Sequence, residues 1–322
     1  MVVKIFTFLP NIPLGILLLL LATIVFDVLH ILLHRLARSN SPFLQKLGAL
    51  HTTHHCFLDT DLRIHEELMM SNVYSHVIPE FIVQVAVTLA LIPVFPLQAV
   101  WVALAIEVAV FVFIMWDKPG FDVNHKAIDQ LKAYRPMYFC VPEYHLLHHV
   151  YPSAHFSSWI KTLDHLLCTG MALQGRRVFL TGETVFARKF AQELENYGVV
   201  IVHAQQDADI LLLCHKPESS NDYQGRVEHF YKLHSQRRIP VEVWALVADK
   251  EFADKNLSAY AQFAQTLFNA EKVIYRHLVA DGYESDPGLV KNLLKGIRRG
   301  FNYVPARCDI AMLKHYGQFV LK

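Results

Sequence analysis

Apolar residues follow two patterns along the chain: long unbroken runs in the first third, and short groups separated by polar clusters after Gly175. Residues 12–33 (IPLGILLLLLATIVFDVLHILL) carry only Thr23, Asp27 and His30 as polar side chains. At about 1.5 Å of rise per residue, a run of about 22 residues covers a hydrocarbon core of about 30 Å. It is too long, with Asp27 and His30 inside it, for a cleaved signal peptide. A second block, residues 77–116, is broken by IPVFP around Pro93 and Pro96, which predicts two shorter spans joined by a tight uncharged turn. A pair of buried core helices is the alternative there, and Glu80 and Glu107 interrupt both. Arg35, Arg38, Lys46 and Arg63 follow the first span and Lys118, Lys126 and Lys132 follow the third, whereas the turn at 93–96 has no basic residue. Basic flanks face the cytoplasm, so segments 34–76 and 117–170 are expected on that face.

In the second half, β-rich groups alternate with amphipathic stretches: RRVFLTG, a helix over 184–197, VVIVHA, DADILLLCH, a helix over 222–236, VEVWALVA, a helix over 256–269, then KVIYRHLVA. Alternation of this kind predicts a parallel sheet with flanking helices. The expected fold is an α-helical membrane domain of three spans (residues 1–174) followed by an α/β Rossmann-like domain (residues 175–322).

Composition narrows the function classes. Of 322 residues, 53% are hydrophobic and 18% charged, and the formal net charge of +1 offers no surface for nucleic acid. The cysteines Cys56, Cys140, Cys168, Cys214 and Cys308 show no paired spacing, which excludes a disulfide framework or zinc knuckle and reads as reduced thiols in a cytoplasmic setting.

Histidine changes the picture. Thirteen of the nineteen lie in the first 165 residues, and nine form a pattern: His30 and His34; His51, His54 and His55; His125; His145, His148 and His149. Histidines at i and i+4, or at i, i+3 and i+4, share a helix face. Three such faces meeting at the cytoplasmic end of a helix bundle supply a cage of neutral imidazole nitrogens. One ion takes about three or four protein ligands, so eight or nine histidines suit two ions. Imidazole favours iron, zinc or copper, and the missing thiolates argue against structural zinc. His65 is either a tenth ligand or a group behind the ligands. His76 reads as interfacial, and His155 and His165 as local hydrogen-bonding groups. Asp27, Glu66, Glu143 and Asp164 are candidates to orient ligand imidazoles.

The boxes H-x-x-x-H (30–34), H-x-x-H-H (51–55) and H-x-x-H-H (145–149) resemble those of the fatty acid hydroxylase and sterol desaturase superfamily. RIHEE from Arg63, VNH ending at His125 and HLLHHVYPSAHFSSWIKTLDHLLCTG extend the likeness over about residues 27–170. The chain departs from the family at Ile31, at His155, Phe156 and Ser157, and at Leu163, while keeping all nine histidine positions. The resemblance implies two iron ions, with zinc as the occupant in isolated protein, and dioxygen-dependent hydroxylation or desaturation of a bilayer lipid. Electrons would come from an external cytochrome- or ferredoxin-type donor. AYRPMYFCVP (133–142) reads either as the interfacial mouth of the substrate channel or as an ordinary connector.

VFLTGETVFARKFAQELENYGVVIV is similar to the first strand, turn and helix of a short-chain dehydrogenase. Beyond Gly182, however, Phe186 and Arg188 stand where a dinucleotide turn needs glycine, and Tyr260 is followed by Ala264 rather than lysine. No NAD(P) is therefore expected, and a docking or regulatory role is. The pairing of domains resembles plant cuticular wax proteins acting on very-long-chain aldehydes. The expected function is a membrane di-iron lipid oxidoreductase; the alternative is a non-catalytic membrane partner of a homologous enzyme. Oligomeric state, homo- or hetero-, is left open.

Overall fold

A computed structural model describes residues 9–117, 131–132, 138–182, 184–214, 220–247, 273–279, 287–301 and 303–305. These fall into two compact units, residues 9–117 with 138–163, and residues 131–132 with 164–305. The predicted helix over 256–269 and Cys308 lie outside the described residues.

In the first unit, α1 (Ile12–Ala37) is followed by α2 (Pro42–Phe57). The break between them follows from the residues: Ser41 is extended and Pro42 occupies the first turn of α2, where its missing N–H costs nothing. Residues Glu66–Ala90 wind as one 25-residue helical path. Its π-helical turn at Val73–Val77 leads into α3 (Ile78–Ala90). After the turn containing Pro93 and Pro96 comes α4 (Leu97–Asp117), then the short α5 (Pro142–Val150); α6 (Thr162–Leu167) falls across the sequence boundary of the two units.

Among the described residues, three helices are long and apolar enough to cross a membrane: Ile12–Ala37, Glu66–Ala90 and Leu97–Trp116. Only 44%, 11% and 22% of their apolar windows are buried, whereas core helices are covered by protein. Leu17, Val28, Phe113 and Trp116 face outward, an apolar surface that suits lipid as its solvent. The inward stripe of α1 is Leu18, Ala22, Phe26 and His30 at four-residue steps. One helix face thus carries both the packing and the first imidazoles.

The second unit is built on a six-stranded, wholly parallel sheet: β1 (Arg177–Thr181), β2 (Val200–Val202), β3 (Ile210–Leu213), β4 (Val241–Val247), β5 (Val273–Val279) and β6 (Tyr303–Pro305), in the order β2-β1-β3-β4-β5-β6. Strand order reverses between β1 and β3, whereas the dinucleotide-binding order sets a third strand outside β2. Helices cover both faces. On one, α7 (Val185–Asn196) and a helix at Pro287–Arg298 supply Phe186, Phe190, Leu194, Leu293 and Ile297. On the other, α8 (Ser220–Leu233), the helix between β3 and β4, supplies Val227 and Phe230. The Pro287–Arg298 helix is α9. Burial on both faces explains why β3 reads as an unbroken apolar run, with all four residues buried. Phe186 is a core side chain, 4% exposed, at the start of α7.

Candidate metal centre

Helix geometry sorts the histidines. His30 and His34 are one turn apart on α1, His51, His54 and His55 lie in the last turns of α2, and α5 carries His145, His148 and His149. Positions i and i+4 lie about 40° apart around a helix and i+3 falls about 60° to the other side, at about 100° per residue. An H-x-x-H-H box therefore points two ways. From α2, His51 and His55 join His30 and His34 while His54 turns aside; from α5, His148 joins that first group while His145 and His149 meet His54. The result is two clusters, His30, His34, His51, His55 and His148, and His54, His145 and His149, with ligand atoms within 4.8 Å of one another in each. They adjoin, since the rings of His55 and His149 are 4.6 Å apart.

In the first cluster the Nε2 atoms converge. His148 Nε2 lies 3.0 Å from that of His30, 2.9 Å from His34 and 3.1 Å from His55, and His55 Nε2 lies 3.2 Å from His34 and 3.0 Å from His51. A metal held by imidazole at about 2.05 Å in octahedral geometry sets neighbouring nitrogens about 2.9 Å apart, and a tetrahedral site about 3.3 Å. The spacings fall at the octahedral end. Hydrogen bonding alone does not account for them. His148 Nδ1 donates to the carbonyl of Ala154 at 2.7 Å, so its Nε2 holds a lone pair, and a neutral imidazole nitrogen accepts one donor, not three. A cation at the centre would satisfy all the lone pairs together.

The same anchoring recurs in the second cluster. His149 Nδ1 donates to the carbonyl of Leu58 at 2.8 Å and His54 Nδ1 to Asn72 Oδ1 at 2.9 Å, which aims each Nε2 at the cluster. For these three histidines the orienting groups are carbonyl and amide oxygens, not the carboxylates expected from sequence. Asp27 instead accepts from the N–H and Oγ of Ser158, and Asp164 accepts from Thr169. Outside the spans, burial and then the neighbouring imidazoles hold His51 and His148 well below the usual histidine range, which keeps them neutral and able to ligate.

Eight of the nine predicted ligands are thus brought together, and His125 lies outside the described residues. So does the first half of the 133–142 stretch, residues 133–137. His65 stands apart, pairing with Asp59 at 3.1 Å and Glu67 at 3.2 Å. His76, expected at the interface, instead stacks on His54 with ring centroids 3.8 Å apart. The π-helical turn at Val73–Val77 carries it there, a turn widened by an extra residue of the kind found at functional sites. His155 is buried with its ring edge against Tyr144, and His165 Nδ1 donates to the carbonyl of Arg299 at 2.6 Å. Asn72 gave no signal in the sequence.

Gly48 sets the spacing of the first two boxes. A Cβ there would lie 2.3 Å from the backbone N and 2.5 Å from the Cα of Ala37, so α2 rides directly on α1. Alanine is intrinsically the better helix former by about 1 kcal/mol, but the clash with backbone prevails. Gly48→Ala is expected to displace His51 and His55 from His30 and His34 and to weaken metal binding by about 10–100-fold, the scale on which ligand support acts. Competition with a chelator measures this, and unchanged affinity would contradict the packing.

A cavity of about 380 Å³ runs beside the clusters, lined by His30, His54, His76 and His145 at one side and by apolar groups such as Phe26, Phe81 and Phe111 from the long helices. Glu80, Gln84 and Glu107 also line it. No protein-family model and no curated protein matches the chain.

Proposed function

We propose that the protein is a membrane-bound, non-haem di-iron oxidoreductase that uses dioxygen on an unactivated C–H bond of a lipid with a long acyl, fatty-aldehyde or sterol-like body. The carrying observation is that two adjoining, buried imidazole clusters border a largely apolar cavity among helices able to span a bilayer. Soft thiolate ligands, which mark structural zinc and iron–sulfur sites, are not part of either cluster. A bound pair of iron ions would supply the redox chemistry, the lipid C–H bond, dioxygen, two electrons and two protons giving an alcohol and water. The electrons come from a separate cytochrome- or ferredoxin-type donor.

The chain's own residues do the rest. Nε2 atoms hold the ions while Ala154, Leu58 and Asn72 fix the rings of His148, His149 and His54. Phe26, Phe81 and Phe111 surround an alkyl chain and keep water from it. Each buried methylene adds about 0.8 kcal/mol to retention of the lipid. The basic flanks support a cytoplasmic side for the histidine boxes and the carboxy-terminal domain in this reading. That domain, a Rossmann-like sheet with Phe186 in its core where a phosphate turn would have glycine, serves as a docking or regulatory unit.

Elemental analysis of purified full-length protein, with lipid profiling of cells that gain or lose it under labelled dioxygen, tests the proposal. Two irons per chain and a labelled lipid product are expected. Zinc or no metal with unchanged lipids would overturn it in favour of a non-catalytic partner of a homologous enzyme.

A further inference from the structure

Within the cavity one carboxyl stands out. Glu107 is in the middle of α4, 3% exposed, and lines the cavity. Its Oε1 accepts from Thr88 Oγ1 at 2.6 Å, while Oε2 is buried with no hydrogen-bond partner. Ionisable groups at this depth are costly and mark sites rather than packing.

Glu107 also ends a series. His76, Glu80, Gln84 and Thr88 follow at four-residue steps along the second long helix, Glu66–Ala90, one face of it by the helical repeat. His76 stacks on the ligand candidate His54 and approaches Glu80 at 3.5 Å, Gln84 donates to Glu80 at 3.1 Å, and Thr88 reaches Glu107. A polar stripe therefore descends from the metal clusters along an otherwise apolar cavity. Its depth follows from packing: Gly15 meets Ala99 and Val102, and Leu18 clusters with Val100 and Ala103, so Glu107 is level with about Thr23. His30 stands about two helical turns nearer the clusters, roughly 11 Å at about 5.4 Å per turn.

A plain hydrocarbon tail in this cavity would leave Glu107 Oε2 buried and unmatched. Resting on the metal-centre reading above, the geometry points to a narrower substrate class: a long-chain amphiphile with a second hydrogen-bonding oxygen, hydroxyl or carbonyl, at its buried end. Glu107 binds that oxygen and so determines which carbon, about two helical turns away, lies against the clusters. It is a specificity-determining residue, and Thr88 positions it.

Binding of radiolabelled dodecane-1,12-diol and dodecan-1-ol to the full-length protein in nanodiscs tests this. The native protein is expected to prefer the diol by about tenfold, the worth of one hydrogen bond. Glu107→Gln keeps the preference and Glu107→Leu loses it. Should Glu107→Leu fail to fold, the infrared carbonyl band of Glu107, assigned by its loss in Glu107→Gln, is expected to shift with the diol and not with the alcohol. Equal affinities in the native protein, a preference that survives Glu107→Leu, or a band unmoved by the diol would each overturn the inference. Both measurements are made on chelator-stripped as well as iron-loaded protein. Diol preference without iron binding would sink only the metal reading, and iron binding without diol preference only this inference.

Discussion

His148→Ala empties the first cluster. Its Nε2 is within 3.1 Å of the corresponding atoms of His30, His34 and His55, so its loss removes a ligand that three others face. Supporting groups behind a ligand are worth about 10–100-fold in affinity, and removal of a ligand from the centre is expected to exceed that. Because α5 sends His148 to the first cluster and His145 and His149 to the second, the loss should be selective: metal per chain falls from two ions to one. His54→Ala is the mirror experiment, costing the second ion and leaving the first. Either change abolishes turnover, whereas His203→Ala, an exposed residue of the other unit, alters neither loading nor activity. Elemental analysis alongside circular dichroism separates lost ligation from lost folding. A fully loaded, active His148→Ala protein would contradict the shared centre.

Much of this arrangement was legible before any coordinates, for reasons that differ by element. The three long helices were readable because a bilayer core demands continuous apolar runs, and Pro93 and Pro96 mark the only place where the second run can turn. The histidine boxes were readable because spacing determines the helix face. Which cluster each face would meet was not, since that depends on how α1, α2 and α5 cross. The spacing alone sets His54 about 100° around α2 from His55, but nothing local in the sequence encodes that His145 and His149 meet it there. The stacking of His76 on His54 was not legible, because it depends on a π-helical turn that neither Ser75 nor His76 marks in the sequence. Asn72 was invisible because an asparagine in a helical stretch is ordinary until a histidine is found beside it. Glu107 was visible only as an interruption of a hydrophobic span; the cavity it lines requires three helices to be packed.

In the second unit, β1 to β5 announced themselves as short β-branched runs between polar clusters. The stretch PGLVKNLLKGIR was equally periodic, with Leu289, Val290, Leu293, Leu294 and Ile297 on one face, yet its helix, α9, and β6 were not predicted. Gly182, with φ +90, allows the chain to turn after β1, but Thr184 rather than a glycine opens α7 by accepting from the N–H of Ala187 at 3.0 Å. That is a capping solution, and Phe186 and Phe190 packed behind it make the start of α7 part of the core.

Replacing Glu242 with leucine destabilises the sheet unit. Its carboxylate is buried on β4, where Oε2 accepts from Arg276 Nε at 2.9 Å and Trp244 Nε1 at 3.1 Å, and Oε1 from Arg176 at 3.4 Å. Burial alone would push this carboxyl up, but the Arg276 and Arg176 guanidiniums overcome it and hold it below the ordinary glutamate range. Glu242→Leu leaves two guanidiniums in the interior without their shared anion, a loss of about 3–5 kcal/mol. Domain stability is about 5–15 kcal/mol, so one change removes a large share of it. Amide hydrogen exchange in β4 and β5 of the full-length protein reports the effect as faster exchange at Val241–Val247 and Val273–Val279. Arg276→Met in the Glu242→Leu background should recover part of it, because removing opposite charges together avoids the unpaired ion. A folded-state value below the unfolded one also dictates the acid response: the contribution is complete above the usual glutamate range of about 4.3 and is lost as pH falls through the folded value. Protection in β4 of the native protein is therefore expected to weaken below that range, and Glu242→Gln to lose that part of the dependence. Exchange in Glu242→Leu as slow as in the native chain would show that the buried anion is dispensable to the sheet.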